Sequence, residues 1–489
     1  MSRGGEDMSK NIAGKMAKYF HFFSFFLFLL ICFCGWRVAK KFGIVTLDQI
    51  FFHLMAPLDG MDQELVLWGI RYAGIFLLLL LGYSIVVFNR KISEKLESVR
   101  LVKYIYRPSS GLWHICLGMF FIVTAVVFSE VKYHAVSYLF ASESSFIKDN
   151  YAYCHYSDVR FVQKNNAVVL ILESMENTYG DKQIFSRSLI PRLSEMQKEN
   201  ISFQKQHQVY GTGWTIAGLT SYVFGVPLLL FKNSGNVLFD KFMPKADSVL
   251  GILEHHGYAL EYVLSSSAVF AGTDKMFHTH SKTFIQDSNY LIKHKNREMN
   301  GLWGVPDSFM YEWAKKRYAA LSRSSQPFVL FVQSVDTHGY DGYIEPENNH
   351  GNGYRDVLKA ADIMAADFIE WVKRQPGAEH TTIIVLGDHL MGRCPLSDDY
   401  LTPHSDNRFI FNMFINALPA GQINRDRPCT SFDMAPTILE SMGAVLPEHR
   451  LGLGVSLFSS RKTLLEQMDR KALDAALKDK SSFYKSLFL

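Results

Sequence analysis

The stretch Gly211-Thr212-Gly213-Trp214-Thr215-Ile216-Ala217-Gly218 sets two hydroxyls between glycines, directly ahead of the apolar run Leu219 to Val226. Glycines let a backbone turn tightly, and the apolar run reads as a helix that begins near Thr215 or Ile216. The octet is therefore a strand–loop–helix junction. A hydroxyl at such a junction has two readings. It can cap the helix, because threonine is a common N-cap. It can also stand beside unpaired backbone N–H groups and the positive end of the helix dipole, where an anion such as a phosphate is favoured. What the rest of the chain brings to this turn decides between them.

Upstream, Ala167 to Leu172 is a short apolar run of the kind found in buried parallel strands, and it ends on Glu173-Ser174. Three similar runs follow, Tyr258 to Leu264, Pro327 to Gln333 and Thr381 to Leu386, with helical stretches between them. This alternation implies an α/β domain with a mainly parallel central sheet, whose ligands bind beyond the carboxyl ends of the strands. Those ends carry Glu173, the run Ser334-Val335-Asp336-Thr337-His338-Gly339, and Gly387-Asp388-His389. Each cluster alone has a plain reading as solvated loop residues. Occupying equivalent places on one sheet edge, they gather two carboxylates, imidazoles and the Thr215 hydroxyl in one cleft. Hard oxygen ligands with one imidazole suit zinc, manganese or magnesium. Such a site fits displacement at phosphorus, with Thr215 as metal-activated nucleophile and His338 protonating the leaving alcohol or binding a phosphoryl oxygen.

At 489 residues the chain exceeds one ordinary domain, and its net charge of +4 gives no case for nucleic acid. Three apolar runs, Tyr19 to Trp36, Leu65 to Phe88 and Leu112 to Phe128, have the length to span a bilayer. The first is followed by Arg37, Lys40 and Lys41 rather than a small-residue cleavage site, so it reads as a retained helix. Between the second and third lie Arg90, Lys91, Lys95, Arg100, Lys103 and Arg107 against Glu94 and Glu97. That excess places this loop and the basic N-terminus in the cytoplasm, and everything after Glu130 on the far side.

The stretch Val45 to Leu58 is too short to span. It is expected to lie flat at the outer interface, with Phe51, Phe52 and Leu54 in lipid, or to form an ordinary loop helix. A Cys394–Cys429 disulfide is open to a domain outside the cytoplasm, as are unpaired thiols. The expected organisation is a membrane domain over 1–137, a linker over 138–165, a catalytic α/β domain over 166–458 and a helical tail over 459–489 packed on that domain.

With these residues assembled, the chain resembles the membrane-anchored branch of the alkaline phosphatase and sulfatase superfamily. That branch includes lipoteichoic acid synthases, phosphoethanolamine transferases and the phosphoglycerol transferases of periplasmic glucans. The resemblance runs from about Asn166 to Phe458. It is carried by Leu172-Glu173-Ser174, the Gly211–Gly218 turn, Val335-Asp-Thr-His338, Leu386-Gly-Asp-His-Leu390, and Phe432-Asp-Met-Ala-Pro-Thr-Ile-Leu439 with Leu451-Gly-Leu-Gly454. It implies one divalent metal (Mn, Mg or Zn) held by Glu173, Thr215, Asp388 and His389, with Thr215 as the phosphorylated nucleophile. It further implies substrate contacts at His338, Trp303, Asp274 and Trp214, a phosphatidylglycerol donor, a glycan acceptor, and work at the outer face of a bacterial inner membrane. The threonine turn and Phe270-Ala-Gly-Thr-Asp274 are most similar to the glucan phosphoglycerol transferases.

Two departures narrow the expectation. The His-Gly pair and Phe-Trp-x-Arg-Asp run of lipoteichoic acid synthases are replaced here by Leu264-Ser-Ser-Ser and Phe270-Ala-Gly-Thr-Asp274. The C/S-x-P-x-R motif of sulfatases is missing from Thr212 to Gly218. Transfer of phosphoethanolamine from phosphatidylethanolamine, and a non-catalytic lipid-binding or regulatory role, stand as the alternatives.

Overall fold

The computed structural model describes residues 3–43, 45–55, 63–97, 110–229, 240–295, 303–418 and 423–489. It forms two units, one of Met1–Leu47 with Asp62–Phe140, the other of Asp48–Met61 with Ala141–Leu489.

The first unit is built on three helices long and apolar enough to cross a membrane: α1 (Ile12–Phe42), α3 (Leu65–Phe88) and α4 (Gly111–Tyr133). At about 1.5 Å per residue each exceeds the roughly 30 Å hydrocarbon core. Their outward faces carry exposed apolar residues such as Leu78 and Phe120. Gly118 on α4 lets α1 approach closely, since a methyl there would press on the Phe20 ring. The helices also share one buried polar contact. His21 of α1 lies with Nδ1 2.9 Å from Nδ1 of His114 on α4, and its Nε2 is 2.6 Å from the Tyr83 hydroxyl of α3. Of the basic loop that carries the orientation argument, Arg100, Lys103 and Arg107 lie outside the described residues.

The second unit is organised by a six-stranded sheet. Its strands are β1 (Asn166–Leu172), β2 (Ala259–Leu264), β3 (Phe284–Gln286), β4 (Phe328–Gln333), β5 (Thr381–Gly387) and β6 (Asn412–Ile415). Their order is β3-β2-β4-β1-β5-β6, parallel throughout except for β6, which runs against β5. The four strands expected from apolar runs all form, with ends shifted by one residue at most. The period of two in β1 divides the core. Ala167, Val169 and Ile171 face a layer with α5 (Thr215–Phe224) and α8 (Met434–Ser441). Val168, Leu170 and Leu172 face a layer with α6 (Asp307–Leu321) and α7 (Tyr354–Lys373). The C-terminal helix α9 (Arg470–Lys478) buries Leu473 and Leu477 in the first layer, and the stretch read as a linker adds Ile147, Cys154 and Val159 to it.

Two readings that the sequence leaves open are decided here. Cys394 and Cys429 are free thiols, because Cys429 lies in the first layer and Cys394 in the second, with the sheet between them. The stretch read as lying in lipid instead forms α2 (Leu47–Met55), whose Asp48–Met55 part packs within the second unit. Phe52 is completely buried in the first core layer, and buried Asp48 accepts a hydrogen bond from the Tyr210 hydroxyl at 2.5 Å. Only Leu54 of the three residues expected in lipid is strongly exposed. Ala56 to Leu58 lie outside the described residues. An amphipathic helix buries its apolar side wherever that removes most area from water, and here a protein core outcompetes the interface. Phe52→Ala is therefore expected to destabilise the second unit by about 3–5 kcal/mol, as core Phe truncations do, while Leu54→Ala changes its melting little. Denaturant unfolding of the two variants in detergent checks this.

Candidate active site

Parallel pairing aligns the carboxyl ends of the central strands. Ile171 of β1 pairs with Gln333 of β4, and Leu172 pairs with Gly387 of β5. The next residues, Glu173, Ser334 and Asp388, therefore emerge side by side. Ser174 turns the chain out of β1 with a positive φ of 52°, and its N–H donates to Asp388 Oδ1 at 2.7 Å. The Ser334 hydroxyl accepts from the Glu173 N–H at 3.1 Å, and Thr337 donates to the Glu173 carbonyl at 2.5 Å. Both metal-ligand candidates are thus fixed by backbone hydrogen bonds before their side chains enter the cleft.

The glycine-rich turn delivers the hydroxyl from above this edge. Gly211 has φ +80° and packs where a side chain would meet Leu229 and Pro227. Trp214 is the extended N-cap and α5 begins at Thr215. No side chain caps this helix, so the capping role is not the one Thr215 takes. Its Oγ1 instead donates to Glu173 Oε2 at 3.2 Å and lies 3.5 Å from His389 Nε2. Gly218, one turn on, lets α5 rest on the metal-site strand end, since a methyl there would run into the Asp388 carbonyl.

Glu173, Asp388 and His389 converge tightly. His389 Nε2 lies 3.4 Å from Glu173 Oε1 and 3.5 Å from Asp388 Oδ2, and one ligand atom from each residue falls within 4.8 Å of the others. The His389 Nδ1 bonds the Leu390 carbonyl at 2.8 Å, which assigns a proton to Nδ1 and turns Nε2 toward the carboxylates; a cation bound there would take the place of the Nε2 proton. Asp388 is fully buried; its Oδ1 accepts from two backbone N–H groups, but its buried Oδ2 has no hydrogen-bond partner among the described residues. Burial and the Glu173 charge push Asp388 up to about 7. Burial opposes the charge on Glu173, yet His338 and His389 hold that carboxyl down to about 2. Burial also opposes a charge on His389, but Asp388 and Glu173 raise it to about 10. The two carboxylates demand positive charge between them, the demand that a divalent cation meets. With an orphaned carboxylate oxygen, a second carboxylate and a correctly protonated imidazole, the residues fit such an ion.

The remaining candidates divide. His338 lies beside this group, close enough for its charge to act on Glu173, and the Trp303 indole packs edge-on against it with ring centroids 4.3 Å apart. Trp214 is buried in the core beside the turn. Asp274 stands apart in its contacts: its carboxylate accepts from the Lys275 N–H at 2.8 Å and faces Lys275 Nζ at 3.7 Å.

Several supporting residues carry no signal that spacing alone gives. Buried Asp307 accepts from the Val335 and Asp336 N–H groups and from the Ser265 hydroxyl, shaping the loop that carries His338. Gln208 accepts from the Leu390 N–H. Glu176, three residues after Glu173, pairs with Arg408 through contacts of 2.8 and 2.5 Å, and Arg408 also donates to the Met391 carbonyl. A charged pair so far from water in sequence and so deep in the fold becomes legible only once the loop after β5 is seen to need bracing.

The fold and site together define an α/β protein of the phosphate- and sulfate-ester class, with its reactive groups on the carboxyl edge of a parallel sheet. The chain belongs to the Sulfatase family, whose model matches residues 165–444. Among curated relatives it is similar to phosphoglycerol transferase I of Xanthomonas campestris pv. campestris (strain B100), at 28% identity over 309 residues, covering 61% of this chain and 43% of that one. It is similar also to phosphoglycerol transferase I of Escherichia coli O6:K15:H31, at 29% identity over 61% of this chain and 39% of that one. The match thus spans less than half the length of these relatives. Among solved structures, lipoteichoic acid synthase LtaP from Listeria monocytogenes aligns at 16% identity and a TM-score of 0.49, over 66% of this chain and 81% of that one. Streptococcus pyogenes phosphoglycerol transferase GacH, in complex with sn-glycerol-1-phosphate, aligns at 18% identity and a TM-score of 0.43, over 72% of this chain and 91% of that one.

Arg408→Ala leaves Glu176 buried and unpaired. It is expected to destabilise the second unit by about 3–5 kcal/mol, and Arg408→Lys less, because a lysine keeps the charge opposite Glu176 while losing the forked contact. Chemical denaturation of both variants measures the difference.

Proposed function

We propose that this protein transfers phosphoglycerol from phosphatidylglycerol to a hydroxyl of a periplasmic or cell-surface glycan, through a phosphothreonine-type intermediate on Thr215. The observation that carries this reading is the Thr215 hydroxyl. It opens α5 without capping it and lies within hydrogen-bond reach of Glu173 and His389, beside the orphaned Asp388 oxygen. The curated relatives named phosphoglycerol transferase I support the headgroup. The three apolar helices support a bacterial inner-membrane location. In this reading the chain comprises a membrane domain (1–137), a linker (138–165), a catalytic domain (166–458) on the outer side and a tail (459–489).

In this mechanism the ion is held by Glu173, Asp388, His389 and Thr215. A divalent cation there supplies charge that favours the ionised threonine and offsets negative charge on the phosphoryl oxygens. Thr215 Oγ1 loses its proton to water and forms a bond to phosphorus, while the bond from phosphorus to the diacylglycerol oxygen breaks. His338 donates a proton to that leaving oxygen, and diacylglycerol departs. The glycan hydroxyl then attacks phosphorus, passes its proton to His338, and the Thr215 oxygen leaves and recovers a proton from water. The positive end of the α5 dipole, at the helix start that Thr215 opens, favours the phosphoryl group.

Thr215→Ala is expected to abolish diacylglycerol release from phosphatidylglycerol vesicles, and Thr215→Ser to retain a measurable fraction because the hydroxyl survives. Equal rates for the Ala variant and the unmodified protein would remove the nucleophile. With separately radiolabelled headgroups, transfer of ethanolamine but not glycerol would turn the reading to a phosphoethanolamine transferase. Exhaustive chelation is expected to stop turnover and to lower the melting temperature of the second unit, with both restored by a divalent ion. An unmoved melting temperature and full activity after chelation would contradict the metal assignment, and unchanged cellular function of Thr215→Ala would favour a non-catalytic role.

A further inference from the structure

Helix α2, which follows the first apolar helix in the chain after Gly43 to Thr46, belongs by packing to the catalytic unit. It is anchored at two points. Phe52 enters the core, and Asp48 takes the hydroxyl of Tyr210, the residue directly before the glycine-rich turn. That anchoring sets the direction of His53. Its ring lies 6.2 Å from Phe270, Phe270 lies 5.8 Å from Trp303, and Trp303 lies 4.3 Å from His338, so four rings form one wall leading to the reactive groups. His53 Nδ1 bonds the Gln49 carbonyl at 2.8 Å. A carbonyl only accepts, so Nδ1 carries the proton and Nε2 is an acceptor.

We propose that His53 is a substrate-binding residue of the catalytic site, and that its Nε2 accepts a hydrogen bond from a hydroxyl of the donor headgroup as the headgroup lies along this wall. The inference rests on the phosphoglycerol reading above and deepens it by assigning a residue to the headgroup. Several observations agree with it. Burial, and then the neighbouring His338, lower the His53 pKa against the raising effect of the Gln49 carbonyl, so the ring is neutral near pH 7 and keeps its acceptor. His53 is half-buried on this wall, and its Nε2 is an acceptor that a hydroxyl donor suits. A glycerol headgroup supplies that donor through its hydroxyls, and its carbon chain suits the aromatic wall.

The test uses the full chain with vesicles of phosphatidylglycerol or of phosphatidylpropanol, whose headgroup has the same carbon count and no hydroxyl. Diacylglycerol release is the readout. The unmodified protein is expected to favour phosphatidylglycerol about tenfold, the worth of one well-made hydrogen bond to a site built for it. His53→Ala is expected to lose about tenfold on phosphatidylglycerol and much less on phosphatidylpropanol, so that the preference collapses toward one. His53→Gln, whose side-chain carbonyl still accepts, is expected to recover part of the preference. Equal proportional losses on both donors in His53→Ala would overturn the inference, since a packing defect does not sense the hydroxyl, and would leave the phosphoglycerol reading standing. No release from either donor by the unmodified protein would overturn both.

Discussion

Two carboxylates held out of water within a few ångströms of each other are the constraint on which the catalytic unit depends. Glu173 and Asp388 repel, and neither can turn away, because the backbone groups around them are already committed. The parallel pairing of β1 with β5 makes the encounter unavoidable: once Leu172 lies opposite Gly387, the next residue on each strand must face the same space. Positive charge must therefore be found locally. His389 supplies part of it, and the unpartnered Oδ2 of Asp388 marks where more is wanted. The same congestion determines where the hydroxyl belongs, since a group beside that concentration of charge is the one whose proton is easiest to exchange.

The price of this arrangement is carried by the backbone around it. Ser174 takes a positive φ that non-glycine residues rarely adopt, and in return its N–H reaches the Asp388 carboxylate. Gly387 and Gly218 are small because carbonyls, of Met175 and Asp388 respectively, occupy the space a side chain would need. Close approach of backbone to backbone lets three segments distant in sequence converge on one point. Below them the bidentate Glu176–Arg408 pair ties the exit of β1 to the loop after β5, bracing the turns that carry Glu173 and Asp388.

What could be read in the chain beforehand follows from range. The strands were legible because each is an uninterrupted apolar run buried on both faces, and the polar residues closing those runs mark the sheet edge without further information. Thr215 was legible as the start of a helix, but whether its hydroxyl turned inward to cap or outward to Glu173 depended on a contact 42 residues away in sequence. The bracing residues were invisible for the same reason. Gln208 and Arg408 look like any loop or helix-end polar residue until their partners are in place. Local pattern left Val45 to Leu58 open: an amphipathic stretch beside an apolar helix says that one face must be buried, not in what. Lipid and protein satisfy the same pattern, and the burial of Phe52 in the core together with the Asp48–Tyr210 hydrogen bond distinguishes them.

That substitution of protein for lipid changes what α2 does. Were its apolar face in a bilayer, His53 would be a polar residue on the rim of an anchor and Tyr210 would need another partner. Packed as it is, the helix closes one side of the ring wall, and its hydrogen bond to Tyr210 holds the residue from which the glycine-rich turn departs. A displacement of α2 therefore reaches both the acceptor on His53 and the approach of Thr215 to Glu173, through two separate contacts. Helix α2 is in this way a structural part of the candidate site, and the groups at the sheet edge and the element that follows the first apolar helix cannot vary independently.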